Sequence, residues 1–218
     1  VRAVIMIKRA FDLIIASVGL AVFAPVLLIT GTLIKLDSPG PVFYRADRIG
    51  KGGKLFKMYK LRTMVVNADR LGPALTQGRD KRITRIGRIL RRWKIDEIPQ
   101  LINVLRGEMS IVGPRPESPC YVDYYTPKQR QVLTVRPGIT GLTQVRFRHE
   151  EDLLSQCANP ENEYITRIMP QKLALDLEYI ERQSLILDLS IIVQTFTALL
   201  QRDELSSSRH IMNGKPTG

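Results

Sequence analysis

Leu13-Ile14-Ile15-Ala16-Ser17-Val18-Gly19-Leu20-Ala21-Val22-Phe23-Ala24-Pro25-Val26-Leu27-Leu28-Ile29-Thr30-Gly31-Thr32-Leu33-Ile34 runs for 22 residues without a charge. At ~1.5 Å per residue, an unbroken helix of that length crosses a bilayer core. The run is too long for the apolar region of a secretory signal, and no small-residue cleavage pattern follows it. Two features complicate a simple span. Pro25 sits in mid-run, where it removes a helical N–H and crowds the preceding turn. Basic residues flank both ends: Arg2, Lys8 and Arg9 before the run, and Lys35, Arg45, Arg48, Lys51, Lys54, Lys57, Lys60 and Arg62 after it. Positive charge favours the cytoplasmic face, so the flanks do not choose opposite sides. A helix that enters the membrane, turns at Ala24-Pro25 and leaves on the same face satisfies both observations, if the freed backbone groups find partners. A proline-kinked span stays open at this point, and a soluble core helix is the weakest reading.

Beyond the run, Asp37-Ser38-Pro39-Gly40-Pro41 is a turn cluster. Val42 to Arg45 and Leu55 to Tyr59 flank Gly50-Lys51-Gly52-Gly53, the pattern of a β-hairpin. A helix and a loop are expected over Met64 to Arg79. Arg79 to Lys94 is the most basic window. Ile83, Ile86 and Leu90 recur there at helical spacing among Arg82, Arg85, Arg88, Arg91 and Arg92, which predicts a basic amphipathic helix at a membrane surface. Glu163 to Ile180 reads as helix around Pro170. Leu185 to Leu200 reads as a docked or interfacial helix, too short and polar for a second span. Its apolar face leaves a homodimer open. The tail after Arg202 is expected to be disordered.

Between the basic window and Gly113-Pro114-Arg115-Pro116 lies Lys94-Ile95-Asp96-Glu97-Ile98-Pro99-Gln100. Asp96 is placed like an N-cap, and Pro99 fits a first helical turn. Leu101, Ile102, Val104 and Leu105 supply the buried side, and Gly107 supplies a stop. Two adjacent carboxylates at a helix start, surrounded by arginines, suit metal binding or attack on phosphorus. Taken alone, helix capping is the favoured reading of the pair.

The net charge of +12, from 33 Lys+Arg against 21 Asp+Glu, predicts polyanionic partners. Nucleic acid is disfavoured, because only 6% of residues are aromatic and no nucleic-acid-binding motif is present. Two cysteines, Cys120 and Cys157, make no disulfide framework and read as free thiols. Zinc-binding and Walker-type signatures are absent. Cys120 and His149 read as structural.

In chain order these segments resemble the bacterial sugar transferases that act on polyprenyl phosphate, the small monotopic phosphoglycosyl transferases. The resemblance spans about Ile7 to Leu200. It rests on the Pro25-containing hydrophobic run, Ser38-Pro39-Gly40-Pro41, Tyr59-Lys60-Leu61-Arg62-Thr63-Met64, Asp96-Glu97-Ile98-Pro99-Gln100-Leu101, Gly113-Pro114-Arg115-Pro116, Arg136-Pro137-Gly138-Ile139-Thr140-Gly141 and Leu187-Asp188-Leu189. Members of the family often carry serine before the mid-membrane proline, where this chain has Ala24.

The resemblance implies a monotopic α+β protein, predominantly helical, on the cytoplasmic face of a bacterial inner membrane. Residues 1–36 are expected to form a re-entrant helix broken at Ala24 and Pro25, and residues 37–201 a catalytic domain with a β-hairpin and amphipathic interfacial helices; residues 202–218 are a tail with no assignment in the family. It implies transfer of sugar-1-phosphate from a nucleotide diphosphate sugar, with uridine as the expected nucleoside, to polyprenyl (undecaprenyl) phosphate on an anionic phospholipid membrane. The reaction releases nucleoside monophosphate and begins glycan assembly. It implies Mg²⁺, with Asp96 as nucleophile, Glu97 as its metal or proton partner, and Asp176 as a further metal ligand beside Asp96 and Glu97. Lys60, Arg62, Arg91 (or Arg92), Arg115 and Arg136 are the expected phosphate-binding cations; Arg115, held between two prolines, suits phosphate better than lysine would. A glycosyltransferase releasing nucleoside diphosphate and a non-catalytic basic membrane module are the alternatives.

Overall fold

The computed structural model describes residues 2–72, 80–148 and 150–212. Arg79, His149 and the end of the expected tail, 213–218, lie outside the described residues. Helix α1 (Arg2–Asp37) is a single helix that contains Pro25. Its length is about 54 Å at the usual rise. The chain stays helical through Ala24-Pro25, where the sequence led us to expect a break. A proline costs one backbone donor and one steric adjustment there, and the turns on either side stay hydrogen-bonded. On the far side, Thr30 Oγ1 donates back to the Val26 carbonyl at 2.7 Å.

Only one side of α1 touches the rest of the protein. Arg9 donates to the Val104 carbonyl at 2.8 Å. Asp12, Ala16, Thr30 and Ile34 are buried. A Cβ on Gly19 would stand 3.0 Å from Leu101 Cδ1, so the small residue lets a neighbouring helix come close. Ile14, Val18, Val22, Leu28, Ile29 and Leu36 remain exposed. This helix is long and apolar enough to cross a membrane.

The hairpin forms as expected. Strand β1 (Phe43–Ile49) pairs antiparallel with β2 (Leu55–Leu61), in a register from Phe43↔Leu61 to Ile49↔Leu55. The segment from Met64 holds a one-turn 3₁₀ helix, Ala68–Arg70, and Met64 bridges to Ile83. Helix α2 (Arg85–Arg92) is shorter than the basic window that announced it, because Thr84 caps it by accepting from Gly87 N at 3.0 Å. Leu90 packs with Ile34 and Leu61.

Helix α3 (Gln100–Leu105) begins after Pro99. Asp96 is not its N-cap. Lys94 takes a left-handed conformation (φ 56°), and the chain closes a one-turn 3₁₀ helix over Ile95–Glu97 before Pro99 starts α3. The buried side of α3 is Gln100, Asn103 and Val104, while Leu105 is exposed. Gly107 stops the helix in the left-handed region (φ 80°), where a side chain would be strained.

Strand β3 (Ser110–Val112) pairs in parallel with β4 (Gly138–Thr140). The two glycine-proline motifs meet here. Gly138 N donates to the Pro114 carbonyl at 2.8 Å, and a Cβ on Gly138 would stand 2.1 Å from Gly113 N. Around this pair lie short helices α4 (Pro119–Val122), α5 (Leu142–Arg146), α6 (Glu150–Ser155) and α7 (Pro160–Glu163), then a π-turn into α8 (Met169–Arg182) with Pro170 in its first turn. Helix α9 (Leu185–Met212) closes the fold and runs into the segment expected as a disordered tail from 202. No proline or glycine interrupts the chain between Leu185 and Met212. One core joins Ala16, Met58, Val104, Val112, Tyr179 and Ile191, and a second gathers Tyr121, Tyr125, Val132, Leu154, Tyr164 and Leu173. Cys120 and Cys157 are free thiols.

Candidate active site

The 3₁₀ turn at Ile95–Glu97 is held between strand β2, α2 and the loop after β3. Asn103 fixes one side of that arrangement. Its Oδ1 accepts from Tyr59 N at 2.9 Å, and its Nδ2 donates to the Lys57 carbonyl at 2.8 Å and to Glu108 Oε2 at 2.7 Å. With β2 pinned to α3, Lys60 reaches Glu97 Oε1 at 2.9 Å. Arg115, on the loop after β3, reaches the same oxygen at 3.0 Å, and Lys94 approaches it at 4.0 Å. Three cations from three parts of the chain therefore converge on one carboxylate oxygen.

The adjacent carboxylates respond in opposite ways. Burial opposes ionisation of Glu97, but Arg115, Lys60 and Lys94 together outweigh it and hold the acid well below the usual carboxylate range. Asp96 is pushed up, first by burial and then by the negative charge of Glu97, against the pull of Lys60, Lys94 and Arg91. Lys60 is lowered, chiefly by its own burial. Arg115 is raised, chiefly by Glu97. Asp96 Oδ1 is buried and has no hydrogen-bond partner, and Gln100 Nε2 is in the same state. A buried carboxylate oxygen with no donor is costly and keeps a lone pair free for an electrophile or a cation. The left-handed backbone at Lys94 adds a strain of about 1 kcal/mol beside it.

Of the residues expected from the sequence, the fold brings together Asp96, Glu97, Lys60, Arg91 and Arg115. The other three are engaged elsewhere. Arg62 is buried and caps the C-terminus of α1, donating to the carbonyls of Ser38 at 2.7 Å, Ile34 at 3.3 Å and Pro39. Arg136 Nε donates to the Gly107 carbonyl at 2.8 Å. Asp176 is buried on α8, where its Oδ1 accepts from Thr143 Oγ1 at 3.2 Å, with Lys172 and Glu117 as its charged neighbours. Burial pushes it up to about 7. Among the described residues, no group of three or more histidine, cysteine, aspartate or glutamate side chains is placed to share a metal ion. A magnesium ion needs less from a protein. Coordinated by substrate phosphates and water, it takes one or two carboxylates, and the hard oxygens of Asp96 and Glu97 fit that role.

Sequence reasoning missed Asn103 and Gln100. Their signal was visible as polar residues at positions four and seven beyond Asp96, on the side of α3 that had to be buried.

A model of the bacterial sugar transferase family matches residues 3–202. A UDP-glucose:undecaprenyl-phosphate glucose-1-phosphate transferase of Caulobacter vibrioides is 44% identical over 205 residues, which cover 92% of this chain and 72% of that protein. A UDP-N-acetylgalactosamine-undecaprenyl-phosphate N-acetylgalactosaminephosphotransferase of Aeromonas hydrophila is 40% identical over 197 residues, 89% of this chain and 44% of that protein. The chain thus spans less than half of the Aeromonas relative. An exopolysaccharide production protein of Rhizobium leguminosarum bv. phaseoli is 40% identical over 210 residues, 91% of this chain and 97% of that protein.

Proposed function

We propose that this chain, which belongs to the bacterial sugar transferase family, transfers sugar-1-phosphate from a UDP-sugar to undecaprenyl phosphate through a covalent intermediate on Asp96. The observation that carries the reading is the pairing of opposites at residues 96 and 97. Glu97 Oε1 is engaged by Lys60 and Arg115, while Asp96 Oδ1 is buried and unpartnered.

Asp96 Oδ1 attacks the phosphorus bonded to the sugar. The bond from that phosphorus to the bridging oxygen of the diphosphate breaks, and uridine monophosphate leaves with the bridging oxygen. An oxygen of undecaprenyl phosphate then attacks the aspartyl phosphosugar, forming the lipid diphosphate sugar and returning Asp96 as a carboxylate. Both steps crowd anions, so fixed positive charge is required. Arg115 and Lys60 stand at the reacting centre through Glu97, and a diphosphate oxygen entering there competes with that carboxylate for their donors. Mg²⁺ bound by Asp96, Glu97 and the diphosphate would supply further charge neutralisation. Asp176 lies in the neighbourhood of Thr143 and Lys172, which supports a structural role for it over a metal-binding one.

The lipid substrate calls for a membrane, and two surfaces support one. The exposed side of α1 is apolar along most of its length, and α9 exposes Ile186, Leu189, Val193, Phe196 and Leu200. Among the described residues, no other element of this chain covers those side chains. Basic residues at both ends of the apolar run support a placement in the inner membrane with both ends on the cytoplasmic face, which requires the continuous helix α1 to bend at Pro25 within the bilayer. Cysteines introduced singly at either end are then labelled from the same side, and labelling from opposite sides overturns this topology.

The activity is tested with a panel of UDP-sugars, undecaprenyl phosphate and Mg²⁺. Release of uridine monophosphate together with lipid diphosphate sugar is the expected result. Release of uridine diphosphate means that only the sugar moves, and overturns the reading.

A further inference from the structure

Asp96 Oδ1 is not the lone orphan at the site. Gln100 is 1% exposed, and its Nε2 is buried without a partner. The two residues are four apart. The chain between them stays in right-handed turns through Ile98 (φ −53°) and Pro99 (φ −60°), so they share one face of the 3₁₀–α3 segment. Asn103, further along that face, has all of its amide bonds made. The local fold is therefore able to satisfy a buried amide, and it leaves Gln100 unsatisfied.

One orphan is a donor and the other an acceptor, yet they do not bond each other. A group that closes both must accept from an N–H and receive a lone pair from a carboxylate oxygen. A phosphoryl group meets both demands: its non-bridging oxygen accepts, and its phosphorus is the electrophile. Resting on the proposed function, we infer that Gln100 is a further catalytic residue, whose Nε2 donates to a non-bridging oxygen of the phosphoryl group that Asp96 Oδ1 attacks. The donor holds that group for in-line attack and stabilises the charge gathered on its equatorial oxygens. A trapped water closes the same pair of orphans, but gives Gln100 no part in the chemistry.

Gln100→Met, Gln100→Leu and Gln100→Glu separate these roles. Methionine and leucine remove both the donor and the orphan; a glutamate buried beside Asp96 and Glu97 is favoured as the protonated acid, which keeps an O–H donor in the same place and serves as the donor-retaining control. Turnover is read as uridine monophosphate release, with thermal midpoints on the same samples. The expected result for methionine and leucine is a kcat lower by about 100-fold, the scale for one lost transition-state donor, with KM for the UDP-sugar within about threefold. The midpoints of the methionine and leucine variants stay at or above that of the parent, since an unpaired buried amide is gone. If leucine does not fold, methionine carries the test. Parental kcat per folded molecule in Gln100→Met overturns the inference, and so does a kcat loss matched by loss of folded protein. Asp96→Asn in the same assay keeps the two claims apart. An inactive Asp96→Asn beside a fully active Gln100→Met overturns the role of Gln100 alone; an active Asp96→Asn overturns the nucleophile itself.

Discussion

Asp12 and Asp188, at the joint between α1 and the body of the protein, are as buried as Asp96: 2%, 0% and 4% exposed. Their partners differ. Asp12 accepts from Ser110 Oγ at both oxygens and from Ile111 N at 3.0 Å. Asp188 accepts from Tyr179 OH at 2.7 Å at one oxygen and from Lys8 Nζ at 2.6 Å at the other. Asp96 keeps a bare oxygen. The two satisfied carboxylates sit where the fold must hold a long apolar helix in one place. The unsatisfied one sits among cations, beside a strained residue and a second orphan. Among these three carboxylates, incomplete satisfaction rather than burial marks the one proposed for chemistry.

The comparison makes its largest claim at Asp96. Asp96→Asn is expected to lower uridine monophosphate release by at least about a thousandfold, because the proposed nucleophile is gone while the shape is kept. The fold should not suffer, since a buried charge pushed toward neutrality is replaced by a neutral amide. A variant that unfolds and loses activity together would place Asp96 with Asp12 and Asp188 and end the distinction.

Asp188 carries the opposite expectation. Asp188→Ala leaves Lys8, whose side chain is 15% exposed, without its ion partner. Breaking such a pair from one side costs about 3–5 kcal/mol. The thermal midpoint should fall well below that of Asp96→Asn, with kcat per folded molecule within a few-fold of the parent. Adding Lys8→Met should recover much of the loss, because the stranded charge is removed. A single variant as stable as the parent breaks the claim that this joint holds α1.

The sequence displayed the two ends of this comparison unequally. Asp96 announced itself by standing next to Glu97 at the end of a basic window, and the ordered motifs supplied its chemistry. The hairpin, α3 with its Gly107 stop and the apolar α1 were legible for the same reason: each depends on spacing within a few residues. Asp12 and Asp188 were not legible as a joint. The partners that tie them across the joint, Ser110 and Lys8, lie 98 and 180 residues away in sequence, and nothing local shows that a carboxylate at the edge of an apolar run faces Ser110 rather than solvent. Arg62 misled for that reason too: a basic residue in a phosphate-seeking context turned out to cap α1. The conformation of Lys94 was equally hidden, because nothing short of the packing of α2 against the 3₁₀ turn forces a lysine into the left-handed region.

Asp176 falls between the two classes, buried with one hydrogen bond, and pH sharpens its place. Its folded-state value is raised from 3.8 to about 7, mainly by burial. Between those values the unfolded chain has released the proton that the folded chain still holds. Stability from this group is therefore full below about pH 4 and declines as pH rises to about 7, by up to about 4 kcal/mol. Asp176→Asn cannot titrate, and Thr143 can still donate to its side-chain oxygen. The variant should match the parent near pH 4 and exceed it at pH 8. Parallel curves of thermal midpoint against pH would show Asp176 to be ionised in the fold, which returns it to the candidates for cation binding.

The smallest expected effect tests the satisfied class most directly. Ser110→Ala removes the hydroxyl that donates to Asp12 and leaves the backbone donor of Ile111 in place. The cost should be about 1–2 kcal/mol, the scale of a hydrogen bond to a buried charged group. Ser110 lies at the start of β3, whose far end leads to Pro114 and Arg115. A change at Asp12 could reach the active site by shifting that strand or through the packing of α1 on α3; β3 is held independently by its parallel pairing with β4, and α1 is tied to α3 by Arg9. Turnover per folded molecule should therefore be unchanged while the midpoint falls. A drop in turnover at constant midpoint would mean that the α1 joint sets the position of Arg115, and that the satisfied carboxylates take part in the chemistry after all.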